Sequence, residues 1–193
     1  MFKLLGSILV VIIFSLLIWQ RFDVPPSLEA MVTAVEGSST YEIGDDLKRG
    51  IIISTQEEYL LVQLGDAYQL ALDRRTQVEL EDLTLGEPTI RLQKGRIQIT
   101  SSGSPIWITT NQSESTLAGG TATLVNYDFL EEVHIIPLEG SIQVHIKKTG
   151  EYLSTPVPIG VHEGYDVSYE RIDPTLDSES TRPFYVWVEQ MIQ

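Results

Sequence analysis

The segment LAGGTATLVNY, residues Leu117–Tyr127, carries the most informative pattern in the chain. Two glycines, Gly119 and Gly120, interrupt a run that otherwise has the composition of a β-strand. Glycine weakens a strand interior because it adds chain entropy and packs nothing, so a pair needs a reason. Neither G-x-x-x-x-G-K-[ST] nor G-x-G-x-x-G is present around the pair. We therefore expect a structural role, in which the strand passes close to another backbone or bends through a bulge.

Strand patterns dominate the chain on both sides of this segment. Apolar and polar residues alternate with period two, or form short apolar runs, in MVTAVEG, YLLVQLGDAYQLAL, TQVELEDLTL, TIRLQKGRIQIT, PIWITT, GSIQVHIKK and GYDVSYERI. Turns are expected at Gly65-Asp66 and at Lys94-Gly95, and glycines recur about every ten residues. This pattern predicts an all-β fold, a single antiparallel domain of the β-sandwich or solenoid-like kind.

The C-terminal region gives a weaker signal. IDPTLDSESTRP, with its many polar residues, is expected to be a loop. The following RPFYVWVEQMIQ suits a strand up to Val188 and a short helix equally well.

The N-terminal segment predicts membrane insertion. Leu4–Trp19 contains no charged residue, and a run of roughly 17–25 apolar residues spans a bilayer core. No A-x-A-like cleavage site follows, so we expect an uncleaved signal anchor rather than a cleaved signal peptide. The predicted organisation is a cytoplasmic tail (1–3), a transmembrane anchor (4–22), a Pro-containing linker (23–30), a β domain (31–170) and a C-terminal loop and terminal segment (171–193).

Charge and cysteine content exclude several classes of function. The net charge of −14 argues against binding a nucleic-acid backbone and against adhesion to anionic lipid. Such an acidic surface is expected to prefer a basic or cation-bridged partner. The chain has no cysteine, which excludes disulfides, thiolate metal sites and a cysteine nucleophile.

The polar residues give no catalytic or metal-binding pattern. His134, His145 and His162 do not stand at H-x-H or H-x-x-x-H spacing, and we expect a solvated side chain at His145 and a turn at His162. No G-x-S-x-G elbow is present. Adjacent residues on a strand face opposite ways, so no adjacent carboxylate pair makes an acid–base couple by itself; these pairs are Asp45-Asp46, Glu57-Glu58 and Glu131-Glu132. We therefore predict no catalytic, cofactor-binding or metal-ligating residue, no cofactor, and no enzyme.

The order of several short motifs resembles the FecR family domain of bacterial envelope proteins. The motifs share a hydrophobic position next to a fixed glycine, threonine or acid: VTAVEG, IGDDLKRG (Ile43–Gly50), IST (Ile53–Thr55), the Gly65-Asp66 turn, LDRRTQV (Leu72–Val78), LQKGRI (Leu92–Ile97), AGGTATLV (Ala118–Val125), IIPLEGSIQV (Ile135–Val144) and VHEGYDV. The similarity covers roughly Met31 to Val167. Thr123 stands where the family pattern has an aromatic residue.

The resemblance implies a single-pass inner-membrane protein whose β domain lies in the periplasm or outside the cell. It implies a non-enzymatic interaction, sensing or signal-transduction module, with a protein or a cell-wall polymer as partner. FecR-like signalling proteins carry a cytoplasmic anti-sigma region, for which Met1–Lys3 is too short, so no sigma-factor binding by that route is expected. A purely structural or assembly role in the envelope, and a carbohydrate-active or hydrolytic enzyme, remain the alternatives.

Overall fold

The structure, a computed structural model, describes residues 26–164, 167–173 and 178–192. The predicted cytoplasmic tail and transmembrane anchor lie outside these residues. Within the described part of the chain, no helix is long and apolar enough to cross a bilayer.

Fifteen strands account for almost all of the regular structure in the described residues. In chain order they are β1 (Ala30–Glu36), β2 (Asp46–Leu47), β3 (Ile52–Ser54), β4 (Tyr59–Leu64), β5 (Tyr68–Leu72), β6 (Gln77–Asp82), β7 (Thr89–Ser101), β8 (Ile106–Thr109), β9 (Ser113–Leu117), β10 (Gly120–Tyr127), β11 (Glu132–Glu139), β12 (Ile142–Ile146), β13 (Glu151–Thr155), β14 (Ile159–His162) and β15 (Tyr169–Arg171). A 3-10 turn, Asp128–Leu130, joins β10 to β11, and one helix, α1 (Ser178–Met191), follows the last strand. The all-β prediction is confirmed.

Strand β7 organises the whole sheet. Its C-terminal half pairs with β5 and β10, and its N-terminal half pairs with β6 and β8. One arm of the sheet therefore runs β2-β1-β4-β5-β7-β10-β11-β14-β15, and the other runs β3-β6-β7-β8-β9-β12-β13. All of these pairings are antiparallel except β7 with β8.

The two arms share one hydrophobic core, so the sheet folds back on itself. Ile90 and Leu92 in the first half of β7 and Ile97 and Ile99 in the second half are all fully buried in this core. The inward positions change from even to odd numbers between the halves because an extra residue is accommodated near Gly95. The prediction of a turn at Lys94-Gly95 is wrong. The chain continues through a bulge there, and the bulge bends a single long strand.

Helix α1 covers the outer face of the first arm. Phe184, Trp187 and Val188 are buried against Tyr59 and other residues of β4 and β5 in a second, smaller apolar cluster. Because both faces of β4 are covered, its sequence is almost continuously apolar instead of alternating. Of the two structures that fit the C-terminal sequence, the helix is the one formed. It begins at Ser178, inside the segment predicted to be a polar loop.

The glycine pair lies where the chain crosses from one arm to the other. Strand β9 of the second arm ends at Leu117, and β10 of the first arm begins at Gly120. Gly120 has φ +92°, and a Cβ atom on it would lie 2.2 Å from the carbonyl oxygen of Glu139. The predicted close approach to another backbone is therefore confirmed, and the partner is the E-G step that begins the connection to β12. Thr123, three residues further along, is fully buried.

Candidate functional site

A cleft rich in cations opens at the bend of β7. Three segments form it: the turn between β5 and β6, the bulge in β7, and the end of β10 with the 3-10 turn. We define the cationic cleft by its basic residues, Arg74, Arg75, Lys94 and Arg96. Two adjoining cavities of about 270 Å³ and about 230 Å³ make up the cleft, and Arg75 and Lys94 line both of them.

Two buried threonines hold the floor of this cleft. The Thr55 hydroxyl donates to the carbonyl of Asp73 and accepts from the backbone N–H of Thr76 at 2.9 Å. The Thr76 hydroxyl accepts from the N–H of Arg96 at 3.0 Å and lies 3.0 Å from its carbonyl, to which it donates. These bonds join β3, the β5–β6 turn and β7 at one point, and both threonines are almost fully buried.

Gly95 completes this junction. It has φ +87°, and a Cβ atom on it would lie 2.6 Å from Cα of Thr76. The Asn126 amide donates at 2.9 Å to the carbonyls of both Leu92 and Gln93, which the bulge leaves outside the regular ladder. The bulge is therefore held from both sides, by Thr76 and by Asn126.

Arg96 and Asp73 form the buried ion pair of the cleft. The Arg96 Nη1 atom lies 3.0 Å from the Asp73 carboxylate, and the two side chains are 8% and 16% exposed. Burial raises the pKa of Asp73, outweighing the N–H bond from Arg74 and the attraction of Arg96, which lower it. The charged carboxylate is therefore held at a cost, as at many functional sites.

The other cations of the cleft lie nearer the solvent. The Arg74 guanidinium lies over the Tyr59 ring, 4.6 Å from its centroid. Arg75 has an uncommon left-handed backbone, φ 56°, and bonds the exposed Glu57 carboxylate at 2.8 Å. That carboxylate has a lowered pKa because Arg75 donates to it. Within the described residues, Lys94 is exposed and its ammonium makes no hydrogen bond or ion pair.

An exposed aromatic side chain stands beside the cations. Phe129, in the 3-10 turn, is 78% exposed and lines the larger cavity, and its neighbour Leu130 is 47% exposed. The turn ends at Glu131, which also has a left-handed backbone, φ 53°. The cleft thus combines positive charge with an apolar rim on a strained backbone, a combination that suits binding.

The sequence offered a signal for this site that the net charge concealed. Arg74 and Arg75 occur in the step LDRRTQV, and Lys94 and Arg96 in the step LQKGRI. Four of the 13 basic residues are thus concentrated in two short motifs of a strongly acidic chain. Overall charge predicts long-range behaviour, whereas a local cluster of one sign creates its own field.

A second polar cluster lies on β11, β14 and β15. Glu132 lies 2.6 Å from His134 Nε2 and 3.6 Å from His162 Nδ1, and His162 Nε2 lies 3.5 Å from Glu170. Pairing of β11 with β14 places Glu132 directly opposite His162, which no sequence spacing reveals. The turn predicted at His162 is wrong, since this residue ends β14 and is buried.

This cluster reaches the neighbouring cavity only through His162, and its Glu170 carboxylate is exposed. His162 lines a cavity of about 400 Å³ with Lys147, Lys148 and Glu163, whereas Glu132, His134 and Glu170 do not line it. Among the described residues, no group of three or more potential ligands is arranged to hold a metal ion.

The remaining candidates, His145 and the Glu57-Glu58 pair, lie on the sides of the backbone that the sequence predicts. His145 is on the polar face of β12, stacked on Tyr152 at 4.3 Å and 3.3 Å from Glu114. Glu57 and Glu58 point apart, and the buried Glu58 accepts from the N–H of Gln56 at 2.9 Å. Each therefore has a structural partner.

Comparison with known proteins gives a structural likeness only. No protein-family model matches the sequence, and no curated protein matches it. Two crystal structures of a protein from Parabacteroides distasonis, described as "a putative anti-sigma factor", superpose on the chain with a TM-score of 0.55. Over the matched part, the chain shares that protein's fold. Sequence identity is 16% and 17%, and each match covers 66% of this chain and 63% of the other.

Proposed function

We propose that this chain is a membrane-anchored, FecR-like module that acts in the bacterial envelope by binding a partner, without chemistry of its own. In this proposal, Leu4–Trp19 spans the inner membrane and the β domain, a sandwich of the FecR type, lies on the extracytoplasmic side. The module senses or transmits a signal through the protein or cell-wall polymer that it binds.

The observation that carries this proposal is the convergence of the motif residues under the cationic cleft. Thr55, Thr76 and Gly95 belong to three separate steps of the FecR-like pattern, and they contact one another at the β7 bend. Gly120 and Gly140 belong to two further steps, and their backbones meet at the crossing between the arms. A pattern whose fixed residues meet in space supports a shared fold, and the likeness to the P. distasonis protein agrees with it.

The position of the cleft supports a binding role. It lies at the bend of β7, between the β5–β6 turn and the 3-10 turn that follows β10, and such connecting segments on a rigid β scaffold commonly carry binding residues. The net charge of −14 remains compatible with the predicted basic partner, but the cleft itself favours an anionic group.

Site-specific photo-cross-linking in native membranes tests this function. We expect a photoreactive phenylalanine analogue in place of Phe129 to give one discrete adduct with a partner when the full chain is irradiated. The matched control replaces Tyr152 on the edge strand β13, which is also an exposed aromatic residue, at 77% against 78%.

The control separates two modes of binding and two classes of function. An adduct from Tyr152 alone would place the partner on the sheet edge, by strand addition, and would contradict a role for the cleft. No adduct from either position would favour the purely structural alternative.

A hydrolytic activity is the second candidate, and the Glu132–His162–Glu170 cluster is the observation that favours it. Two carboxylates flanking a buried histidine can orient a general base. Only His162 of these three lines the adjacent cavity, so a bound substrate would reach the histidine but neither carboxylate. We therefore rank this function below binding.

A further inference from the structure

We propose that the cationic cleft binds an acidic peptide segment of a partner protein, with a carboxylate of that segment on Arg75 and Lys94 and an apolar side chain on Phe129. This inference rests on the proposed function, because it names the chemistry by which the module recognises its partner.

Two of the four cations are available to a ligand. Arg96 is buried against Asp73, and the Arg74 guanidinium is stacked on Tyr59, so both have structural roles. Lys94 is exposed and makes no hydrogen bond or ion pair within the described residues. The Arg75 side chain bonds the exposed Glu57 carboxylate of its own chain, and exposed ion pairs are easily exchanged because solvent screens them.

A contact within the chain shows which kind of group the Arg75 side chain binds. Both Nε and Nη2 of Arg75 donate to the Glu57 Oε1 atom, at 3.3 Å and 2.8 Å. The guanidinium is therefore already oriented towards a carboxylate. A glutamate or aspartate from a partner would replace Glu57, and the planar fork of arginine would fix its orientation.

The backbone presents these two cations in a defined geometry. Arg75 adopts a left-handed conformation, and its N–H bonds the carbonyl of Gln56 at 3.0 Å. Lys94 immediately precedes Gly95, whose close contact with Thr76 fixes the bulge. Little backbone ordering is then needed when a ligand binds, which lowers the entropic cost of binding.

The shape of the cleft suits an extended segment. Its two cavities, of about 270 Å³ and about 230 Å³, adjoin at Arg75 and Lys94. One cavity ends at the exposed Phe129, and the other is lined by hydroxyl and amide groups of Ser54, Gln56 and Gln77. An extended segment crossing both would place an apolar side chain at one end and backbone amides at the other.

Charge argues against the other polyanions. A nucleic acid or an anionic bilayer requires many cations over a broad surface, whereas the net charge here is −14. Two available cations in a narrow cleft match one or two carboxylates. Of the two carboxylates that line the cleft, Asp73 is paired with Arg96 and the exposed Asp128 lies beside Phe129, so the favourable position for a partner carboxylate is at Arg75 and Lys94.

Fluorescence anisotropy with the full chain in detergent micelles tests this inference. The probe is a short labelled peptide of alternating glutamate and leucine, with matched peptides in which glutamine replaces glutamate or serine replaces leucine. We expect the glutamate–leucine peptide to bind, and Lys94→Glu to weaken its affinity by about tenfold or more, as expected when a charge-assisted contact becomes a repulsion. Phe129→Ser is expected to weaken the same peptide but not the serine-containing one.

The control variant is Arg49→Glu, which reverses the charge of an exposed residue away from the cleft. The Arg49 guanidinium pairs with Asp82 at 3.5 Å. An equal loss of affinity in Arg49→Glu and Lys94→Glu would overturn the assignment, as would equal binding of the glutamine peptide or tighter binding of a single-stranded oligonucleotide. Absence of peptide binding together with a discrete adduct at Phe129 would reject the acidic ligand and leave the proposed function standing. Circular dichroism of each variant verifies that the fold is retained.

Discussion

Gly120→Val is expected to lower the free energy of unfolding by roughly 3–6 kcal/mol. The valine Cβ would lie 2.2 Å from the Glu139 carbonyl oxygen, and this atom belongs to the backbone and has little room to move. A β-branched residue at φ +92° adds backbone strain to this overlap. The loss is comparable with the whole stability of a typical domain, which is about 5–15 kcal/mol. Chemical unfolding of the full chain in detergent, followed by circular dichroism, measures it.

Gly44→Val is the matched control for this effect. Gly44 has a similar φ, +98°, but no heavy atom lies within 4 Å of the position its Cβ would take. We expect Gly44→Val to lower the free energy of unfolding only through backbone strain, by about 1–3 kcal/mol. Equal losses in the two variants would mean that the close approach at the crossing between the arms contributes nothing. Both variants should still partition into the membrane fraction, since the apolar N-terminal segment is unchanged.

Arg96→Met is expected to destabilise the fold by about 3–5 kcal/mol at neutral pH, because it leaves the Asp73 carboxylate buried without its cation. Burial already raises the pKa of Asp73, and removal of the guanidinium raises it further. A carboxyl whose folded-state pKa is raised stabilises the fold most below its unfolded pKa, and that contribution is lost as the pH rises through the folded-state value. The deficit of Arg96→Met should therefore shrink as the pH is lowered through the raised pKa.

Two companion variants make this prediction specific. Asp73→Asn removes the carboxylate that the buried Arg96 guanidinium bonds, so we expect it too to cost about 3–5 kcal/mol at neutral pH. Arg91→Met, on the same strand, breaks an exposed pair with Glu81 and should cost only about 0–1 kcal/mol. If the stability lost in Arg96→Met does not change with pH, the unpaired Asp73 carboxylate is not the cause of the loss.

The local pattern of the sequence predicts most of the strands and the role of the glycine pair. Alternation in TQVELED and SIQVHI identifies β6 and β12, and Gly65-Asp66 marks the hairpin between β4 and β5. These features depend on neighbouring residues along the chain, whose side chains face defined sides of a strand.

Features that depend on long-range pairing could not be predicted in this way. The bulge at Gly95 has the same local sequence as a turn, and only the partners on both sides of β7 keep the strand continuous. The C-terminal sequence fits a strand and a helix equally well, and helix α1 is the structure formed because its apolar face covers the outer surface of β4 and β5. The cationic cleft and the Glu132–His162 contact likewise unite segments that are distant in the chain.

Cysteine labelling tests the central claim most directly, namely that a membrane-anchored β domain faces the envelope space. The chain contains no cysteine, so a single substitution provides the only thiol. Ser102→Cys places it on an exposed residue directly after β7, and Phe2→Cys places it before the apolar segment. In cells with a permeabilised outer membrane and an intact inner membrane, a membrane-impermeant maleimide should label S102C at once and F2C only after lysis. Labelling of S102C only after lysis, or its release into the soluble fraction, would contradict the account.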